Sequence, residues 1–82
     1  MYIVIAGGGM VGSYLAQVLL RSGHEVAVIE DNLKASDYLS VMLEGNYLVI
    51  HGDGCDSRFQ EDAGIRGADV FVATTGKDDN NL

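Results

Sequence analysis

Three glycines, Gly7, Gly9 and Gly12, stand in the pattern G-x-G-x-x-G, and a carboxylate, Glu30, follows eighteen residues after the last of them. The loop Gly7-Gly8-Gly9-Met10-Val11-Gly12 has the composition of a pyrophosphate cradle. Its first glycine permits a tight turn, its second lets the backbone approach the anion, and its third lets a helix pack closely on a strand. Free N–H groups at the helix start, aided by the positive end of the helix dipole, then face the phosphates. The same glycines could make an empty βα turn, so the pattern counts only between a strand and a helix. Glu30 lies close to the interval of about 20 residues expected of a carboxylate that accepts hydrogen bonds from ribose hydroxyls. Its other reading is a charge at the start of the next helix, for which Asp31 and Asn32 are better placed. A carboxylate at 30 with Asp31 beside it repels a 2′-phosphate, so NAD(H) or an adenine mononucleotide is favoured over a 2′-phosphorylated dinucleotide.

Further candidates flank this pair. Asp53 could accept from an adenine amino group or, equally, bond its own turn backbone. Cys55 is expected to be packed or pocket-lining, because only Arg58 nearby could depress its pKa. Ala73, Thr74 and Thr75 can reach sugar or phosphates across the crevice, whereas Lys77 reads as a solvated side chain. His24 and His51 have no partner spacing that suggests a metal or a nucleophile. The sequence holds no G-K-[ST] loop, no H-E-x-x-H, no C-x-x-C and no recognisable acid, base or nucleophile set. Binding without turnover is the expectation.

The elements that must position these residues follow from periodicity. Tyr2-Ile3-Val4-Ile5-Ala6 is a β-branched run that reads as a strand buried on both faces. Residues 10–22 place Val11, Leu15, Val18 and Leu19 at helical spacing, with Gly23 as the stop. Val26-Ala27-Val28-Ile29 is a second buried strand, parallel to the first by the right-handed crossover rule. Asp31 or Asn32 caps a helix whose face is Ala35, Leu39, Met42 and Leu43, with Gly45 as its stop. Tyr47-Leu48-Val49-Ile50 is a third strand. Ser57 and Gln60 match a capping box for a short helix closed by Gly64, and Asp69-Val70-Phe71-Val72-Ala73 is a fourth strand. Asp78 and Asp79 look like the cap of one more helix. These βα units predict an α/β, Rossmann-like, doubly wound parallel sheet in the order 3-2-1-4, cut short after strand four, with its crevice between strands one and four.

Size and charge bound the rest. A single domain of 82 residues hides only about 60% of the surface of its unfolded chain, so its stability is marginal unless something covers it. A 48% hydrophobic content without proline marks a packed core rather than a linker. The net charge of −7 offers no basic stripe for nucleic acid or anionic lipid. One cysteine permits no internal disulfide, as suits a reducing, cytoplasmic setting. The apolar start is too short for a membrane span and lacks the marks of a signal peptide, so the chain reads as soluble from Met1. An uncovered fourth-strand edge in such a sheet invites a second copy, so at least a dimer is expected.

The segments M-Y-I-V-I-A-G-G-G-M-V-G, G-H-E-V-A-V-I-E, H-G-D-G-C-D and A-D-V-F-V-A-T-T-G-K-D-D-N-N occur in that order. Their succession resembles the N-terminal nucleotide-binding (RCK, or KTN) domain of Trk/Ktr-type potassium-uptake regulators, and the likeness runs through essentially all of residues 1–82. The H-G-D-x-x-D and A-T-T-G-K-D-D-N-N segments separate the chain from generic dehydrogenases better than the glycine loop does, and the dinucleotide-binding half of an NAD- or FAD-dependent oxidoreductase is the alternative reading. The resemblance implies a cytoplasmic regulator that binds NAD(H), or ATP or ADP, assembles as a dimer or ring, and gates a membrane potassium transporter subunit at the inner face of the membrane. By matched position it implies that residues 7–12 cradle phosphates and Glu30 holds the adenosine ribose. Asp53 and Cys55 would border the adenine, with Ala73, Thr74 and Thr75 closing the crevice. ATP-responsive members often carry arginine where this chain has Met10, which cannot pair with a γ-phosphate, so the likeness to the NAD(H) branch is stronger.

Overall fold

In the computed structural model, which describes residues 1–7 and 9–74, the chain runs β1 (Tyr2–Ala6), α1 (Met10–Arg21), β2 (Glu25–Glu30), α2 (Leu33–Met42), β3 (Tyr47–His51), α3 (Ser57–Asp62), a 3₁₀ turn (Ile65–Gly67) and β4 (Val70–Ala73). Gly8, Thr75, Lys77, Asp78 and Asp79 lie outside the described residues. All strand pairs are parallel and the order is β3-β2-β1-β4, as the alternation of strand and helix predicts. Helices α1 and α2 cover one face. There Ile3, Ile5, Val26 and Val28 meet Ala16, Leu20, Leu39 and Leu43. The crossover through α3 covers the other face, where Val4, Ala27 and Ile29 meet Ala63, Phe59 and Ile65. Alternate residues of β1 and β2 therefore feed two cores, which is why both strands read as continuous apolar runs.

Helix α1 is rotated from its expected orientation. Gly12, Ala16 and Leu20 are the buried positions, whereas Val11 and Val18 are 69% and 38% exposed. The stripe is set by small residues four apart, which let the helix axis approach the sheet; the larger β-branched pair is turned outward. The stop is as expected. Gly23 takes a φ of +90°, its N–H donates to the Leu20 carbonyl, and the His24 N–H donates to that of Leu19, the paired bonds of a Schellman motif.

Other ends differ in detail. Asn32, not Asp31, caps α2 by accepting the Ala35 N–H at 3.0 Å. This helix ends at Met42, where Leu43 turns extended and drops into the core, so Gly45 belongs to the turn into β3. The capping box at Ser57 and Gln60 does not form. Asp56 stands one residue earlier and accepts the Arg58 N–H at 2.9 Å, while Gln60 Nε2 donates to the Gly54 carbonyl at 2.8 Å. A carboxylate already placed at the cap leaves the serine in the first turn.

Tyr2 ties the sheet to the α3 side by donating its hydroxyl to the Ala63 carbonyl. Burial, and secondarily the charge of Glu25, raise the Tyr2 pKa. The folded pKa then exceeds that of the unfolded chain, so this stabilisation is complete below about pH 10 and is lost as pH rises through the raised value. Tyr2→Phe is expected to cost about 1 kcal/mol at neutral pH and to flatten the alkaline limb of the stability curve. Urea denaturation at neutral pH and above pH 10 measures both, and an unchanged alkaline limb would count against it.

Candidate nucleotide-binding site

The candidate residues that the structure describes all lie at or just beyond the carboxyl ends of the four parallel strands, where a doubly wound sheet binds its ligands. Gly7 leaves β1 with a φ of +98°, a conformation open to glycine without strain, and its N–H donates to the Ile29 carbonyl of β2 at 2.7 Å. Gly12 stands in the first turn of α1, where an added Cβ would lie 2.1 Å from the Gly7 oxygen and 2.9 Å from Thr74 Oγ1. This is the close helix–strand approach expected of the third glycine.

Gly9 differs from both. It caps α1, and among the described residues an added Cβ there would meet nothing within 4 Å. The packing of the described residues therefore does not demand glycine at 9, and the open space above it suits an approaching anion. No side chain caps α1 and no acidic residue stands in its first turn, so the positive end of the helix is not neutralised by the described residues. Met10, 89% exposed, and Val11 bring no charge to the mouth of the loop.

Glu30 ends β2 and is only 6% exposed. Its Oε2 accepts the Asn32 N–H at 2.7 Å, and its carbonyl accepts the Gly52 N–H at 2.9 Å. The first bond orients the carboxylate, whose two oxygens together can accept about four hydrogen bonds. His51, the register partner of Glu30 on β3, places Nε2 3.0 Å from the Asp31 carbonyl oxygen and so braces the turn that follows. Asp31 itself is exposed.

The β3–α3 loop carries Asp53 and Cys55. The Asp53 carboxylate accepts the Cys55 N–H at 2.9 Å, which is the turn-bonding arrangement. Cys55 is exposed and not packed. Arg58 is held by Asp56 at 2.7 Å, a pairing that lowers the Asp56 pKa through that side-chain hydrogen bond and turns the guanidinium to the carboxylate. Periodicity missed Gly54. It is buried, and an added Cβ there would stand 2.7 Å from the Ala6 Cβ. The loop therefore crosses over β2 and lies on the end of β1, next to the glycine loop. The second glycine of H-G-D-G was the signal for this approach.

At the far side, Ala73 pairs with Ala6, the Thr74 N–H donates to the Ala6 carbonyl at 2.7 Å, and the Thr74 hydroxyl donates to the Gly7 carbonyl. The hydroxyl is thus turned into the loop. Among the described residues no cluster of three or more His, Cys, Asp or Glu could hold a metal, and no helix is long and apolar enough to cross a membrane.

Residues 3–82 match the TrkA-N domain family. The chain belongs to the TrkA-N family. This TrkA-N chain is 48% identical over 82 residues to the Trk system potassium uptake protein TrkA homolog of Methanothermobacter thermautotrophicus, covering 100% of the chain and 37% of that relative. The homolog of the same name in Pyrococcus abyssi is 44% identical over 82 residues, with 100% of the chain and 35% of the relative covered. Trk system potassium uptake protein TrkA of Halomonas elongata is 38% identical over 80 residues, covering 98% of the chain and 17% of the relative. The TrkA-N chain thus spans about a third, or less, of the length of these relatives. Its sequence motifs and its β3-β2-β1-β4 sheet agree with the family expectation.

Proposed function

We propose that this chain is the nucleotide-sensing module of a potassium-uptake regulator, binding NAD(H) in preference to ATP or ADP and performing no chemistry on it. The reading rests above all on the loop from Gly7 to Gly12, where an open Gly9 and an uncapped helix end stand beside a buried, oriented Glu30. The names of the relatives, all Trk system potassium uptake proteins, supply the transport context. Gly7, Gly8, Gly9, Met10, Val11 and Gly12 take the pyrophosphate, Glu30 and Asp31 the ribose, Asp53 and Cys55 the adenine edge, and Ala73, Thr74 and Thr75 the far wall. An uncharged Met10 gives a γ-phosphate no partner, which favours NAD(H).

The module acts in the cytoplasm as a dimer or larger ring, docked on a membrane potassium transporter subunit. There the nucleotide with the higher affinity for one state of the assembly shifts it toward that state. Family membership favours this sensor over the dinucleotide-binding half of an oxidoreductase. Calorimetric titration with NAD+, NADH, ADP and ATP tests the reading. Saturable binding is expected, tightest for NAD+ or NADH, with every nucleotide recovered unchanged after prolonged incubation. A chain that binds none of the four is not a nucleotide sensor, and one that turns any of them over is an enzyme.

A further inference from the structure

The first glycine of the loop is gripped from two sides. Its N–H donates to the Ile29 carbonyl of β2, and its carbonyl accepts the hydroxyl of Thr74 at the end of β4. The same hydroxyl lies 3.2 Å from the Ala6 carbonyl oxygen, and the Thr74 N–H fixes the residue to Ala6. Gly12 closes the arrangement, its Cα packed so near that a methyl group would touch both the Gly7 oxygen and Thr74 Oγ1. Three elements thus converge on one residue, Gly7, and among the described residues only the Thr74 contact comes from a side chain.

We infer that Thr74 is a positioning residue for the phosphate loop: by holding the Gly7 carbonyl toward β4, its hydroxyl keeps the loop in the shape that a diphosphate requires. This rests on the nucleotide reading above and adds, to the place of Thr74 on the far wall, a role exerted through Gly7. A part-buried carbonyl deprived of its donor turns to find water, and the peptide unit turns with it. The ribose end of the site is held separately, by Asn32 on Glu30 and by His51 on Asp31, so it does not feel this change. Loss of the hydroxyl therefore weakens ligands that carry a diphosphate and spares adenosine.

The test compares wild type, Thr74→Val and Thr74→Ser in calorimetric titrations with ADP and with adenosine, alongside amide hydrogen exchange of the ligand-free chains. Valine keeps the shape and drops the hydroxyl; serine keeps the hydroxyl. ADP affinity is expected to fall about tenfold in Thr74→Val, the scale of one lost buried hydrogen bond, with adenosine unchanged and exchange at Gly9 and Met10 faster. Thr74→Ser is expected to restore both. ADP binding as in wild type by Thr74→Val, or an equal loss for adenosine, overturns the positioning role while leaving the nucleotide reading intact. Wild type that binds neither ligand overturns both. If Thr74→Val does not fold, Thr74→Ala, which also lacks the hydroxyl, decides: a lowered ratio of ADP to adenosine affinity supports the role, and a wild-type ratio overturns it.

Discussion

Gly12→Ala is expected to destabilise the domain by about 3 kcal/mol, at the upper end of what one added methyl group does in a packed site. The new Cβ would lie 2.1 Å from the Gly7 oxygen and 2.9 Å from Thr74 Oγ1. Neither neighbour is the far end of a flexible chain: one is backbone, the other a hydroxyl fixed to β4. Alanine favours a helix over glycine by about 1 kcal/mol, a gain too small to offset the overlap. For a domain of this size the loss lowers the melting temperature by about 12–24 °C. Relief by retreat of α1 would move the helix N-terminus away from the loop, so nucleotide binding should weaken in any molecules that remain folded. A Gly12→Ala chain as stable as wild type would show that α1 does not approach β1 so closely.

Glu30→Ala is expected to weaken adenine nucleotide binding by about 1.5–3 kcal/mol, the range for a charge-assisted hydrogen bond to a ribose. Stability should fall by at least about 1 kcal/mol, because truncation of this buried side chain removes the acceptor of the Asn32 N–H. Glu30→Gln separates the two effects. It keeps an oxygen for Asn32 while removing the charge, so stability should be nearly retained and affinity should still drop. Titration of both variants beside thermal melts gives the answer. Equal binding by Glu30→Ala and wild type would reduce Glu30 to a brace for its own turn and would remove the ribose contact from the site.

Burial on both faces makes β1 and β2 legible in the sequence, because a short β-branched run that stays apolar at every position suits a central parallel strand. The sheet order follows from alternating elements and crossover handedness. The rotation of α1 is not legible, because apolar periodicity passes over Gly12 and Ala16, the two residues small enough to set the helix on the sheet. Gly54 is hidden for a related reason: its contact is with Ala6, forty-eight positions earlier, and no local pattern reports a tertiary approach. At the site, topology alone places the strand ends. The direction of the Thr74 hydroxyl, the turn bond of Asp53 and the exposure of Cys55 depend on side-chain geometry that spacing does not encode.

The parallel order β3-β2-β1-β4 also has a temporal side. Of the four strands described, β1 is made before the others and waits for β4 as its second neighbour, since Ile3 to Ala6 pair with Val70 to Ala73. At synthesis rates of about 5–20 residues per second, one edge of β1 stays unpaired for about 3–13 s after it emerges. It is apolar throughout and lies beside a β2 that is equally sticky. A nascent chain of this design is therefore expected to need shielding by the ribosome surface or a chaperone during that interval, and to aggregate most readily when translation stalls between α2 and β4.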